Sequence, residues 1–328
     1  MSQPRFGRMI PAMVTPFDEN RELDLDKAQA LAARLVDGGS DSLIINGTTG
    51  ESPTVFYPQK MELFRAVVEA VGNRVPVIAN VGDNCTADTV GFARDVAELG
   101  VDGFMCVVPY YNKPPQEGMY RHFRTIADAV ELPIILYNIP GRCVVNMEAE
   151  TTLRLAHDCD NVVAVKEASG KMDQVEAIVA GAPDGFVVYS GDDSATLDVM
   201  KRGGAGVIST IGNVSPARMK EIVELAAAGD WEAAEAANER LMPLMTGLFE
   251  TSNPILVKEA LKLLGFPVGG VRLPLVDATP AQSERLAATM REERVARSRR
   301  IPCDDSRKYP GWRRAESFDS APTALCSG

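Results

Sequence analysis

A lysine closes a run of residues built to be buried. In Asn161-Val-Val-Ala-Val-Lys-Glu-Ala-Ser-Gly170, residues 162–165 are apolar and largely β-branched, and Lys166 follows directly. Such a run reads as a strand covered on both faces, as in a parallel sheet. Lysine is almost never fully buried unless it has a partner or a task. An ordinary amine, with a pKa near ~10.4, is neutral only about one time in a thousand at neutral pH. Burial depresses that pKa, and a neutral amine attacks a ketone to form a Schiff base. The plainer reading is an ion pair between Lys166 and Glu167 at the strand end.

Five more polar clusters follow apolar runs: Gly47-Thr-Thr-Gly-Glu-Ser52, Pro109-Tyr-Tyr-Asn-Lys-Pro114, Tyr137-Asn-Ile-Pro-Gly-Arg142, Ser190-Gly-Asp-Asp193 and Ser209-Thr210. A Schiff-base lysine suits a 2-oxo acid or an aldehyde. The protonated imine withdraws electrons and acidifies the adjacent carbon, and the resulting enamine attacks an aldehyde. Such a site needs a proton shuttle and a cradle for a carboxylate. Tyr137 can move protons if a second hydroxyl, that of Thr48 or Thr49, holds its own. The backbone amides of residues 47–50 can cradle an anion, and a simple turn is the alternative. Arg142 can grip a second carboxylate with its planar fork, or sit on the surface. Tyr110 and Tyr111 read equally as an aromatic pair at an interface. Asp192-Asp193 reads as a cap on the next helix rather than a metal site.

These clusters need a frame that brings them together. Eight short apolar runs recur, at residues 9–14, 43–45, 75–81, 103–108, 134–137, 162–165, 186–189 and 207–211. Between them lie stretches with helical apolar spacing, such as 24–37, 58–71 and 87–99, stopped by Gly38-Gly39, Gly100 and Pro133. Strand and helix alternating eight times predicts an α/β fold, a (β/α)8 TIM barrel, with a doubly wound sheet as the lesser option. All six clusters then fall at the C-terminal mouth, where barrels of this kind carry their active sites. After residue 211 the strands stop. Residues 216–228, 231–248, 254–264 and 280–297 read as helices, opened by Asp230, by Asn253-Pro254 and by Thr279-Pro280. The division is a catalytic barrel over residues 1–229, a three-helix C-terminal domain over 230–297, and a tail over 298–328 that reads as disordered.

Composition narrows the function classes. The 328 residues carry a net charge of −11, and residues 291–328 hold nine Lys/Arg against six Asp/Glu, so the body is more acidic still. That balance argues against nucleic acid as a partner. No apolar run is long enough to span a bilayer, and no apolar segment follows Met1-Ser-Gln-Pro-Arg-Phe-Gly-Arg8, so neither membrane nor secretion is expected. Six cysteines without ligand spacing read as reduced thiols of a cytoplasmic protein, and only two histidines, His122 and His157, make a metal site improbable.

The motifs, in this order, resemble those of dihydrodipicolinate synthases (4-hydroxy-tetrahydrodipicolinate synthases), within the pyruvate-dependent class I aldolase family that also includes N-acetylneuraminate lyase. The resemblance runs from about Phe6 to about Arg294. It implies that Lys166 forms the imine with pyruvate and that Tyr137 is the proton donor and acceptor. It implies that Thr48 and Tyr111 complete the relay, Tyr111 reaching into a neighbouring subunit's site. Thr49 and the backbone at Ile208 would hold pyruvate, with Gly191 nearby, and Arg142 would bind the carboxylate of aspartate semialdehyde. The implied reaction condenses pyruvate with L-aspartate 4-semialdehyde to 4-hydroxy-tetrahydrodipicolinate, at the entry to diaminopimelate and lysine biosynthesis. No cofactor is implied beyond the covalent imine, and no metal. The implied assembly is a homotetramer, a dimer of tight dimers. The arginine of Pro-Gly-Arg separates the synthases from sugar-acid lyases of the N-acetylneuraminate type, which are the rival reading; a non-catalytic barrel is a third. One departure concerns regulation. Where lysine-inhibited members carry histidines after Glu51, this chain has Tyr57 and Lys60; Asn84 is kept and Asp88 replaces a glutamate. A cationic Lys60 would repel the ammonium of lysine, so weak or absent lysine inhibition is expected.

Overall fold

The computed structural model describes residues 4–292. Eight parallel strands form one sheet: β1 (Met9–Pro11), β2 (Leu43–Ile45), β3 (Val77–Asn80), β4 (Gly103–Val107), β5 (Ile134–Asn138), β6 (Val162–Glu167), β7 (Val187–Ser190) and β8 (Gly206–Ser209). Their order, β1-β8-β7-β6-β5-β4-β3-β2, steps through the chain one neighbour at a time. A parallel bridge between Ala12 and Ile44, with the Met13 amide donating to the Ile44 carbonyl at 2.8 Å, joins the two ends of the sheet. The eight runs expected from the sequence are therefore the eight staves of a TIM barrel.

Alternation along each strand sorts the side chains into two sets. Ile10, Ile44, Ile78, Met105, Ile135, Ala164, Tyr189 and Ile208 form one buried cluster, the inside of the cylinder. Met9, Leu43, Ile45, Val77, Phe104, Leu136, Val165 and Val207 belong to another, packed against the helices. The same parity carries upward. Tyr137 lies two residues above Ile135, and Lys166 two above Ala164, so both turn inward at the mouth.

The helices of the layer outside are α1 (Leu25–Asp37), α2 (Tyr57–Val71), α3 (Thr86–Ala97), α4 (Gln116–Ala127), the single-turn α5 (Pro140–Cys143), α6 (Ala149–Asp158), α7 (Met172–Gly181), α8 (Thr196–Lys201) and α9 (Pro216–Ala228). They form where apolar residues recur on one face. In α1, Ala28, Leu31, Ala32 and Leu35 are buried, and the Asp24 carboxylate caps the first turn by accepting from the Lys27 amide at 2.8 Å. Three more helices follow with no strand between them: α10 (Trp231–Gly247), α11 (Ile255–Leu263) and α12 (Pro280–Glu292). Asp230 caps α10 through the Ala233 amide, and Thr279 and Gln282 cap α12 reciprocally, each side chain accepting from the other's amide.

Several boundaries differ from the sequence reading, most by one or two residues. β1 and β8 stop at Pro11 and Ser209, because the chain after each turns to make contacts at the mouth. β6 runs on to Glu167, since Asn138 and Glu167 still pair across β5 and β6. Pro140-Gly141-Arg142 forms the helical turn α5, with proline in its first turn where the missing amide costs nothing. The expected extension of the last helix to residue 297, and the tail 298–328, lie outside the described residues. Among the described residues, no helix is long and apolar enough to cross a membrane.

Candidate active site

The strand register sets the centre of the site. Tyr137 on β5 pairs with Lys166 on β6, and Lys166 pairs with Tyr189 on β7. The Lys166 ammonium nitrogen lies 4.3 Å from the centroid of the Tyr137 ring. Lys166 is only 5% exposed, and this burial pulls its pKa down to about 8, with the Arg142 charge pulling the same way and Asp193 opposing. Burial likewise pushes the Tyr137 hydroxyl up to about 12, against a hydrogen bond with the Thr48 side chain and the charge of Arg142. Near neutral pH the amine form is therefore far commoner than in an ordinary lysine, while the tyrosine keeps its proton.

Neither buried acid nearby forms the ion pair that the plainer reading of Lys166 required. Glu167 is fully engaged elsewhere: both its oxygens accept from Asn138 Nδ2 at 3.1 Å, one from Gln174 Nε2 at 2.8 Å and one from the Ser169 amide at 2.8 Å. That network points the carboxylate away from the lysine and ties β5, β6 and α7 together. The capping role expected of Asp192-Asp193 also fails. α8 begins after Ala195 with no side-chain cap. The Asp193 carboxylate, 2% exposed, instead accepts from Ser209 Oγ at 2.6 Å and from the Thr210 and Ile211 amides at 3.0 and 2.8 Å. It thereby fixes the end of β8, just after the Ile208 backbone, and lends Lys166 a negative charge. Asp192 closes a local turn onto Ser194.

The turn after β2 supplies the hydroxyls. It closes through the Glu51 amide on the Thr48 carbonyl and the Ser52 amide on the Gly47 carbonyl, bonds that do not use the Thr48 and Thr49 amides. Of the two threonines left open as partners of Tyr137, Thr48 makes the contact. The Thr49 hydroxyl accepts instead from Asn253 Nδ2 at 2.9 Å, and the Asn253 carbonyl accepts from Arg142 at 3.5 Å. Asn253 thus links two residues that the sequence placed on opposite sides of the mouth. Arg142 is exposed on α5, free to reach a ligand. Gly191 sits against Lys166: a Cβ there would lie 2.6 Å from Ala168 Cβ and 3.2 Å from Lys166 Cε. Ile208 is buried on β8 beside Ile10. Tyr111 alone stands apart, 88% exposed and with a left-handed backbone, φ 72°, that turns it out of its own barrel.

With that geometry the chain can be set beside known proteins. The pattern of the dihydrodipicolinate synthetase family matches residues 5–293. The chain belongs to this family. Among its dihydrodipicolinate synthetase relatives, the 4-hydroxy-tetrahydrodipicolinate synthase of Moorella thermoacetica is 54% identical over 288 residues, covering 88% of this chain and 98% of that protein. The 4-hydroxy-tetrahydrodipicolinate synthase of Symbiobacterium thermophilum is 51% identical, over 89% of this chain and 99% of its own. A crystal structure of the dihydrodipicolinate synthase from Cyanidioschyzon merolae with lysine bound superposes with a TM-score of 0.88 at 44% identity, over 89% of this chain and 100% of that one.

Two residues of this dihydrodipicolinate synthetase site escaped sequence reasoning in their true roles, Asp193 and Asn253. Asp193 was visible as the second acid of Ser-Gly-Asp-Asp, but its partners lie at the end of the next strand, where no local pattern points. Asn253 was visible only as a residue before a proline. Gly191 yields a direct test. Gly191→Ala should leave the barrel folded but push the lysine aside. Trapping of a 2-oxo acid on Lys166 by borohydride should then slow by about tenfold to a hundredfold, the order expected of a misplacement near 1 Å. An unchanged trapping rate would show that the lysine is not held by this contact.

Proposed function

We propose that this chain condenses pyruvate with L-aspartate 4-semialdehyde to give 4-hydroxy-tetrahydrodipicolinate, through an imine on Lys166. The observation that carries the reading is a buried lysine of lowered pKa packed on the face of a tyrosine whose hydroxyl is held by a threonine. The neutral amine adds to the keto carbon; the keto oxygen takes one proton from that nitrogen and a second through the hydroxyl relay and leaves as water, giving the protonated imine. Loss of a methyl proton from the protonated imine gives the enamine. Its carbon attacks the aldehyde, and the aldehyde oxygen takes a proton. The amino group of the semialdehyde then displaces Lys166, closing the ring and freeing the enzyme.

Tyr137 and Thr48 are the groups we assign to these proton transfers, with Tyr111 of a second copy completing the relay. Thr49, the backbone at Ile208 and Gly191 would seat pyruvate, and Arg142 would seat the carboxylate of the semialdehyde. The imine is its own electron sink, so the scheme needs no metal or other cofactor. Tyr111 supports assembly beyond one copy, since a left-handed, outward-facing tyrosine has no use in its own barrel; we infer a tetramer of two tight dimers, acting in the cytoplasm. We read α10–α12 as a C-terminal helical domain that backs the mouth of the barrel through Asn253.

Pyruvate with borohydride should add a stable mass to the Lys166 peptide, and Lys166→Ala should abolish it. Because the attacking species is the neutral amine and its pKa is about 8, the trapping rate should climb about tenfold per pH unit below 8 and level off above it. No adduct in the parent protein would refute the reading. Arg142→Ala should still trap pyruvate yet lose use of the semialdehyde by about a hundredfold or more in kcat/KM; equal use would point to another aldehyde. Lys60 lies 5.5 Å from the centroid of the Phe92 ring, on which Tyr57 also packs, and its charge would oppose a bound ammonium there. Millimolar lysine should therefore leave the rate of the purified enzyme essentially unchanged, and strong inhibition would overturn that assignment.

A further inference from the structure

The threonine turn is flanked by two residues in an unfavourable backbone conformation. Asn46 has φ 59° and Glu51 φ 55°, both left-handed, and both are buried. A non-glycine residue stays in that region only when its surroundings hold it there. What holds Glu51 is an ion pair removed from water. Its Oε1 meets the Lys258 ammonium at 2.5 Å, and each side chain is 2% exposed. Its Oε2 accepts from the Arg272 amide at 2.9 Å. Lys258 also donates to the Gly270 carbonyl at 2.8 Å and lies 4.1 Å from the centroid of the Phe17 ring. The guanidinium of Arg272 covers the same ring at 4.2 Å and donates to the Thr54 carbonyl at 2.7 Å, just beyond the turn.

Lys258 belongs to α11, and Asn253, just before that helix, holds the Thr49 hydroxyl. α11 and the turn leading into it therefore grip the threonine turn at two points two residues apart. A buried ion pair is a poor means of adding stability, because apolar residues of similar volume serve as well or better. Its effect here is directional: it fixes the orientation of Glu51, and with it the backbone of the two preceding threonines. We propose that Glu51 and Lys258 are positioning residues for the reaction, a buried clamp that sets where the Thr48 and Thr49 hydroxyls stand relative to Lys166 and Tyr137. Neither touches the reacting atoms. The inference rests on the reading under Proposed function.

The test is the double variant Glu51→Gln/Lys258→Met, which removes both charges, keeps volume and leaves an acceptor for the Arg272 amide. It should fold and melt near the parent temperature. Its kcat/KM for pyruvate, per folded molecule, should fall by about tenfold or more. The pH midpoint of pyruvate trapping on Lys166 should stay where it is in the parent. A general loosening of the barrel would instead wet the lysine and move that midpoint up toward an ordinary amine. Should the double variant not be recovered folded, Glu51→Asp alone, which keeps both charges and draws the carboxylate back by one methylene, is expected to show the same loss at an unchanged midpoint. Activity within twofold of the parent, or a loss that comes with a raised midpoint, overturns the clamp. A parent protein that traps no pyruvate removes the reading beneath it as well, whereas a parent that traps and variants that match it remove only the clamp.

Discussion

The imine proposed on Lys166 needs a nitrogen dry enough to shed its proton and open enough to meet a substrate, and the two demands conflict. A lysine deep in an apolar core is neutral but unreachable; one at the surface is reachable but charged. The end of a barrel strand resolves the conflict. Below Lys166 the cylinder is closed by Ala164, Ile135 and Tyr189, and above it the chain opens into loops. Desolvation is the largest influence on its charge, and Asp193 moderates the effect from the neighbouring loop. The result is a nitrogen poised within reach of physiological pH rather than one locked in either state.

The two buried acids nearest Lys166 in the fold and the sequence, Asp193 and Glu167, show how much that balance depends on who binds whom. Glu167 is next to the lysine in sequence, yet Asn138, Gln174 and Ser169 consume its oxygens. Had it turned inward, it would have held the ammonium charged and closed off the nucleophilic role proposed for it. Asp193 is 27 positions away in sequence, yet it is the acid whose charge the lysine feels. Three donors share its carboxylate, and burial still raises its pKa to about 6. It steadies the lysine without capturing it.

Much of this was legible from residue order. The eight apolar runs, the lysine at the end of the sixth and the six polar clusters at one rim follow from periodicity and fold geometry, because a parallel barrel has only one end where strands can deliver side chains. The threonine turn, Tyr137 and Arg142 were legible for the same reason. The partners of Glu167, the place of Asp193, the choice of Thr48 over Thr49 and the link through Asn253 were not. Each depends on contacts between elements far apart in sequence. Asn253 comes from the turn before a helix that the strand-and-helix rhythm does not reach, and a hydrogen bond of 2.9 Å to Thr49 leaves no trace in either local sequence.

The inward facing of Tyr137 and Lys166 is a matter of parity, two residues above Ile135 and two above Ala164. One residue inserted or deleted within 162–165 would send the amine into the helix layer and bring an aliphatic side chain into the mouth. Loops at the rim can change length without that penalty. Evolution, or a protein engineer, is therefore free to trade the aldehyde partner by rewriting loops, while the spacing inside the sixth strand is frozen to the odd or even count of its residues.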